Sequence, residues 1–101
     1  MIKESKLQYK ILRFIESNFK GSVCFKIEKA SKNGVADIWY AIPGYPPTFA
    51  EIKRDEKEKL RPVQLAMQKR MLEAGQRAIA IKSWDQWAAE VHKIREVLSD
   101  T

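Results

Sequence analysis

The stretch GVADIWYAIPGYPPTFAEIKR, Gly34 to Arg54, holds two apolar strand-like runs joined by a turn rich in glycine and proline. Asp37 enters the first run, and Glu51-Ile52-Lys53 lies inside the second. Strand side chains alternate faces, so Glu51 and Lys53 point one way and Ile52 the other. An antiparallel return through Pro43 to Thr48 brings Asp37 near Glu51. Two neighbouring carboxylates repel unless a shared proton or a cation relieves them, and a hard divalent metal with oxygen ligands is the commonest relief. Lys53 would face a phosphate or an attacking water. Taken singly, each feature is ordinary: an E-x-K triplet usually sits on a solvated strand face, and an aspartate after Gly34 is usually turn chemistry. The signal is the order of acid, hairpin, E-x-K and basic loop.

Gly34-Val35-Ala36-Asp37 followed by Glu51-Ile52-Lys53 resembles the signature of the PD-(D/E)XK nucleases. The flanks, including Pro62-Val63-Gln64 and Gly75, resemble the virus-type replication and repair (VRR-NUC) branch, and the likeness runs from Glu4 to about Lys82. Ala36 stands where that family often has proline, and Arg61 where a small hydroxyl residue is usual; neither change removes a chemical group. The resemblance implies an α/β, restriction-endonuclease-like core in the order αβββαβα, with a mixed central sheet flanked by helices. It implies a DNA endonuclease in which Asp37, Glu51, the Ile52 backbone carbonyl and a helix-borne Glu4 hold Mg²⁺, with Mn²⁺ able to substitute. Lys53 would orient water or offset charge on phosphorus, and Gln64 would hold Lys53 or a water in place. Stand-alone members resemble Holliday-junction resolvases, which implies a homodimer acting on branched DNA such as four-way junctions.

Composition agrees with a polyanionic partner. The 101 residues carry 19 Lys and Arg against 13 Asp and Glu, a formal charge of +6, with pI near 9.6. At 45% hydrophobic content the chain suits a single domain, residues 1–101, with one core. No apolar run approaches a membrane span and the N-terminus lacks a signal-peptide core, so a cytoplasmic protein is expected. Cys24 is the only cysteine, which excludes an internal disulfide and a cysteine-built zinc site; it reads as a small buried hydrophobe. His92, the only histidine, lies among helix formers far along the chain from the acids and reads as solvated or packing.

In chain order, Leu7, Ile11, Phe14, Ile15 and Asn18 recur at helical spacing, and Gly21 stops that helix. Glu4, one turn before Leu7, either complements the helix dipole or reaches inward to join the acids. Ser22 to Glu28 reads as a strand and Ala36 to Ile42 as the next, with Trp39 beneath the first helix. The third runs from Thr48 to Arg54. Between the first two, Lys29 and Lys32 lie on a polar loop suited to phosphate contacts; Arg54, Lys57, Lys59 and Arg61 form a second basic set after the E-x-K strand. Pro62 opens a helix whose packed side reads as Val63, Ala66, Met67, Met71 and Ala74. Arg77 to Lys82 reads as a buried strand, joined to the third by a right-handed parallel crossover. Ser83-x-x-Gln86 caps a last helix bearing Trp84 and Trp87, which leave a dimer contact open. Two other functions remain on this reading: a basic DNA-binding module without catalysis, and a sequence-specific restriction-type endonuclease.

Overall fold

The computed structural model describes residues 3–100. Its elements are α1 (Glu4–Asn18), β1 (Val23–Lys26), β2 (Ile38–Ala41), β3 (Thr48–Ile52), α2 (Pro62–Glu73), β4 (Arg77–Ile81) and α3 (Trp84–Ser99). The sheet order is β1-β2-β3-β4, with β1 and β2 antiparallel to their successors and β4 parallel to β3. This is the αβββαβα mixed-sheet core expected from the sequence. None of the helices among the described residues is long and apolar enough to cross a membrane.

Register divides the sheet into two faces. Ile38, Tyr40, Ala50, Ile52 and Ile81 share one face, and all are buried with Leu7, Ile11 and Ile15 of α1 and Trp87, Val91 and Ile94 of α3. That layer is the core. The opposite face carries Phe25, Trp39, Phe49 and Ala78 in one row, with Glu51 one step further along β3. Among the described residues α2 lies over it, with Gln64, Met67, Gln68 and Met71 lining the space above Phe49 and Ala78.

Several sequence expectations shift by a residue or a face. The buried arc of α1 is Leu7, Gln8, Ile11, Leu12 and Ile15. Phe14 sits at its rim, where its ring meets the edges of Trp84 and Trp87, and Asn18 is exposed, donating to the Phe14 carbonyl. Cys24 is half-buried against the core, while Val23 and Phe25, on the other face of this edge strand, are 56% and 49% exposed. Trp39 is not beneath α1 but stacks at 5.3 Å on Phe25, on the face α1 does not reach. In α2 the expected Val63, Ala66 and Ala74 are exposed, because a hydrogen bond from Gln64 to β3 sets the helix's rotation. β4 is an edge strand and only its last residue, Ile81, is fully buried. Trp87 is wholly buried and Trp84 partly so; the exposed large apolar side chains are Tyr9 on α1, Val23 and Phe25 on β1, Val63, Leu65 and Leu72 on α2, and Val97 near the end of α3.

One buried charge escapes the apolar pattern of α3. Glu90 accepts from Arg77 (Nη2 to Oε1, 2.8 Å; Nη1 to Oε2, 2.5 Å), from the Tyr40 hydroxyl at 2.7 Å and from the Tyr45 hydroxyl at 3.2 Å. Burial alone would raise its carboxyl, but the hydrogen bonds from Arg77 and Tyr40 outweigh it and hold the pKa below the ordinary 4.5. A depressed carboxyl contributes stability that is present above its unfolded pKa and lost as pH falls through the lower folded value. Glu90→Ala strands the Arg77 charge and should cost about 3–5 kcal/mol. It should also flatten the acid limb of the wild-type stability profile. Chemical denaturation from pH 7 to pH 3 measures both, and an unchanged variant would show that the network contributes nothing.

Candidate active site

The β2–β3 register, with Ile38 opposite Ala50, continues one step to set Asp37 opposite Glu51. Like charges directly opposed on antiparallel strands destabilise a sheet, so something must hold them there. Asp37 is held at both ends: its carbonyl accepts from the Ile27 amide at 2.7 Å, and its Oδ2 accepts from the Ile52 amide at 2.7 Å. A strand residue directs its N–H and C=O to the same side, so the Ile52 carbonyl emerges beside Asp37.

Glu51 is only 6% exposed, and its Oε1 accepts from Gln64 Nε2 at 2.5 Å. The other end of the Gln64 amide accepts from the Arg61 backbone N–H at 2.8 Å, so one side chain both closes the first turn of α2 and fixes the acid. The sequence reading gave Gln64 to Lys53 or a water; its amide is instead spent on Glu51. Burial first, then the charge of Asp37 and a hydrogen bond with it, push the Glu51 carboxyl up to about 8, against the opposing charges of Lys53 and Arg61. Lys53 is itself 8% exposed, with its amide bonded to the Ile81 carbonyl at 2.9 Å. Glu4 opens α1 within electrostatic reach of Asp37 and Lys53, and its carboxyl is raised by burial and then by Asp37.

The chemistry of this donor set fits a hard cation. It is all oxygen, it carries two carboxylates brought together, and one of them resists ionising while no positive charge bridges the pair. No group of three or more His, Cys, Asp or Glu among the described residues is gathered as a metal site. An ion held by two carboxylates and a carbonyl keeps positions for water and phosphate, as Mg²⁺ commonly does.

The basic residues divide into two groups. Exposed Lys29 and Lys32 line one shallow groove together with Asp37. Lys57, Lys59 and Arg61 are exposed on the connection from β3 to α2. Arg54, expected to be available to phosphates, is paired at 3.0 Å with Glu58, four residues on in the same loop. His92 is exposed and pairs with Glu96 at 2.7 Å, away from the acids in sequence and in fold.

The sequence reading placed Gly34 in a signature without seeing its contact. Its φ is +82°, and a Cβ there would lie 2.2 Å from the Val63 carbonyl oxygen and 3.2 Å from the Gln64 amide. The loop bearing Asp37 and the helix bearing Gln64 touch backbone to backbone at this residue, and only glycine permits both the turn and the approach. A turn before the strand is legible from this glycine; its φ and its partner across the fold are not.

No family model and no curated protein sequence matches this chain. Solved structures do match it in three dimensions, two of them as follows. One is a VRR_NUC domain, 24% identical, covering 91% of this chain and 97% of its own, with a TM-score of 0.79. The other is a VRR_NUC domain protein, 18% identical, covering 96% of this chain and 91% of its own, with a TM-score of 0.75. The chain has the VRR-NUC fold over nearly its whole length.

Two measurements test the geometry without reference to activity. A carboxyl raised on folding keeps a proton that the unfolded chain has released, so between the ordinary 4.5 and about 8 the metal-free protein loses stability as pH rises. Glu51→Gln keeps the shape and removes the charge; in chelator at pH 9 it should melt several degrees above wild type, with the difference vanishing near pH 4. Equal melting at pH 9 would mean the pair is not strained. Gly34→Ala should lose more than about 1 kcal/mol from the left-handed backbone alone, with further loss from the clash; a variant as stable as wild type would contradict the contact.

Proposed function

We propose that this protein is a metal-dependent nuclease that hydrolyses DNA phosphodiester bonds, selects branched structures such as four-way junctions, and works as a homodimer. The observation that carries the reading is the opposed Asp37–Glu51 pair, held by the Ile52 amide and by Gln64, with Glu51 and the following Lys53 buried. Folding gains nothing from such a pair, so a binding-only protein gives it no purpose. The shared fold with two VRR-NUC structures supports the same class.

Asp37, Glu51 and the Ile52 carbonyl would hold Mg²⁺ or Mn²⁺, with Glu4 at the edge of the set, and the ion would supply a polarised phosphate and a water of lowered pKa. The chain's own groups do the rest. Gln64 keeps the Glu51 carboxylate aimed into the cleft. The Lys53 ammonium, whose charge acts on Glu51 and Glu4, orients the nucleophile and offsets negative charge gathering on the phosphate oxygens. Lys29 and Lys32 on one side, and Lys57, Lys59 and Arg61 on the other, position the flanking phosphates without reading sequence. Arg54 joins them once DNA draws it from Glu58.

A four-way junction presents two symmetry-related strands, which a two-fold dimer matches. The unpaired edge of β1, with Val23 and Phe25 exposed, supplies an apolar surface for that contact.

Asp37→Ala, Glu51→Ala and Lys53→Ala should each lower Mg²⁺-dependent cleavage by about a hundredfold or more, while DNA affinity in chelator stays within a few-fold of wild type. Gln64→Ala should lose less, because it acts through Glu51. Gel assays on matched linear, flap and four-way substrates read all of this. Undiminished nicking by the three variants would leave only a basic DNA-binding module, and equal rates on all substrates would remove the branch selectivity.

A further inference from the structure

The outer face of α1 carries a basic stripe from Lys6 to Arg13, with its exposed acid, Glu16, only one turn beyond. Lys6, Lys10 and Arg13 follow one another at spacings of four and three, opposite the buried Leu7, Ile11 and Ile15, and all three are exposed. Tyr9 stands among them, 48% exposed, and together with Ser5 these side chains line one open surface groove. Lys26 of β1 adds its ammonium 5.5 Å above the Tyr9 ring. Among the described residues none of Lys6, Lys10 or Arg13 forms a salt bridge; Lys10 lies instead 4.2 Å above the Trp84 ring.

This arrangement works against the helix that bears it. Like charges at i,i+4 and i,i+3 destabilise an isolated helix, and Lys6, in the first turn, faces the positive end of the dipole. A face selected only for solubility would interleave acids, as α3 does with Asp85, His92, Lys93 and Glu96 on exposed positions. The cost is recovered when a polyanion lies along the stripe. From Lys6 to Arg13 the helix rises about 10 Å, the span of about three phosphates of one strand at about 3.4 Å of axis each. An exposed tyrosine between cations adds a stacking surface for a base or sugar. The stripe begins beside the cleft, since Glu4, the first residue of α1, lies within electrostatic reach of Asp37 and Lys53.

We propose that Lys6, Tyr9, Lys10 and Arg13 form a second DNA-contact surface, separate from the loops beside the acids, which holds an arm of the substrate as it leaves the cleft. This rests on the nuclease reading and names where the substrate extends. The test compares the full chain with Lys6→Gln/Lys10→Gln/Arg13→Gln on long-armed and short-armed four-way DNA, by fluorescence anisotropy in chelator across a salt series. For long arms the slope of log affinity against log salt should fall by about two to three, at about 0.9 per lost phosphate contact. Affinity at low salt should weaken at least tenfold. Short arms, confined to the cleft, should bind both proteins alike, and cleavage at saturating DNA should keep its rate. The triple variant should melt no lower than wild type, because like-charge repulsion is gone; Tyr9→Leu should weaken long-arm binding without changing the slope.

An unchanged slope on long arms, in a protein that still cuts DNA, overturns this surface and leaves the nuclease reading standing. A wild-type protein that neither binds nor cuts DNA overturns both. Loss of binding to phosphatidylserine vesicles with DNA binding intact would assign the stripe to a membrane surface and also overturn the proposal.

Discussion

Everything near the cleft follows from forcing two carboxylates to face each other across a hairpin. The β2–β3 register puts Asp37 and Glu51 opposite one another, and burial denies Glu51 the water that would screen it. Each is then anchored by a donor from a different element: the Ile52 amide for Asp37, the Gln64 amide for Glu51. The anchors explain otherwise arbitrary details. The start of α2 is pinned to β3 through Gln64, its rotation follows from that bond, and the Asp37 loop meets it at a position where only Gly34 fits.

The other sheet face supplies the rigidity. Tyr40 and Arg77 converge on Glu90, which joins β2, β4 and α3 through a buried hydroxyl and a half-buried guanidinium. One face of the sheet thus carries a charge network of opposite signs that holds strands in place, and the opposite face two like charges set against each other. The contrast is physical. Glu90 is held below its ordinary pKa by donors that surround it, whereas Glu51 is pushed above it by burial and a like charge.

The element order, the parallel crossover and the pairing of Asp37 with Glu51 were legible because they depend on alternation, turn residues and chain connectivity. Side-chain partners were less so. Gln64 could be placed at the start of a helix near the acids, but whether its amide served Lys53 or Glu51 depended on a rotamer that no spacing encodes. Glu90 shares the buried row of Trp87, Val91 and Ile94, yet an acid there reads as a surface residue until Arg77, thirteen residues earlier, is known to face it. The exposure of Val63 and the place of Trp39 were misread for one reason: each lies on a surface whose covering element could not be assigned from period alone.

The most direct measurement is calorimetric titration of Mg²⁺ into the protein at pH 7, in buffers of differing ionisation enthalpy, which counts protons released per ion bound. With the Glu51 carboxyl near 8 in the free protein, an ion seated between it and Asp37 must expel that proton. The expected result is release of about one proton per ion in wild type and none in Glu51→Gln. Mg²⁺ binding without proton release, or equal release by the variant, would contradict the shared site.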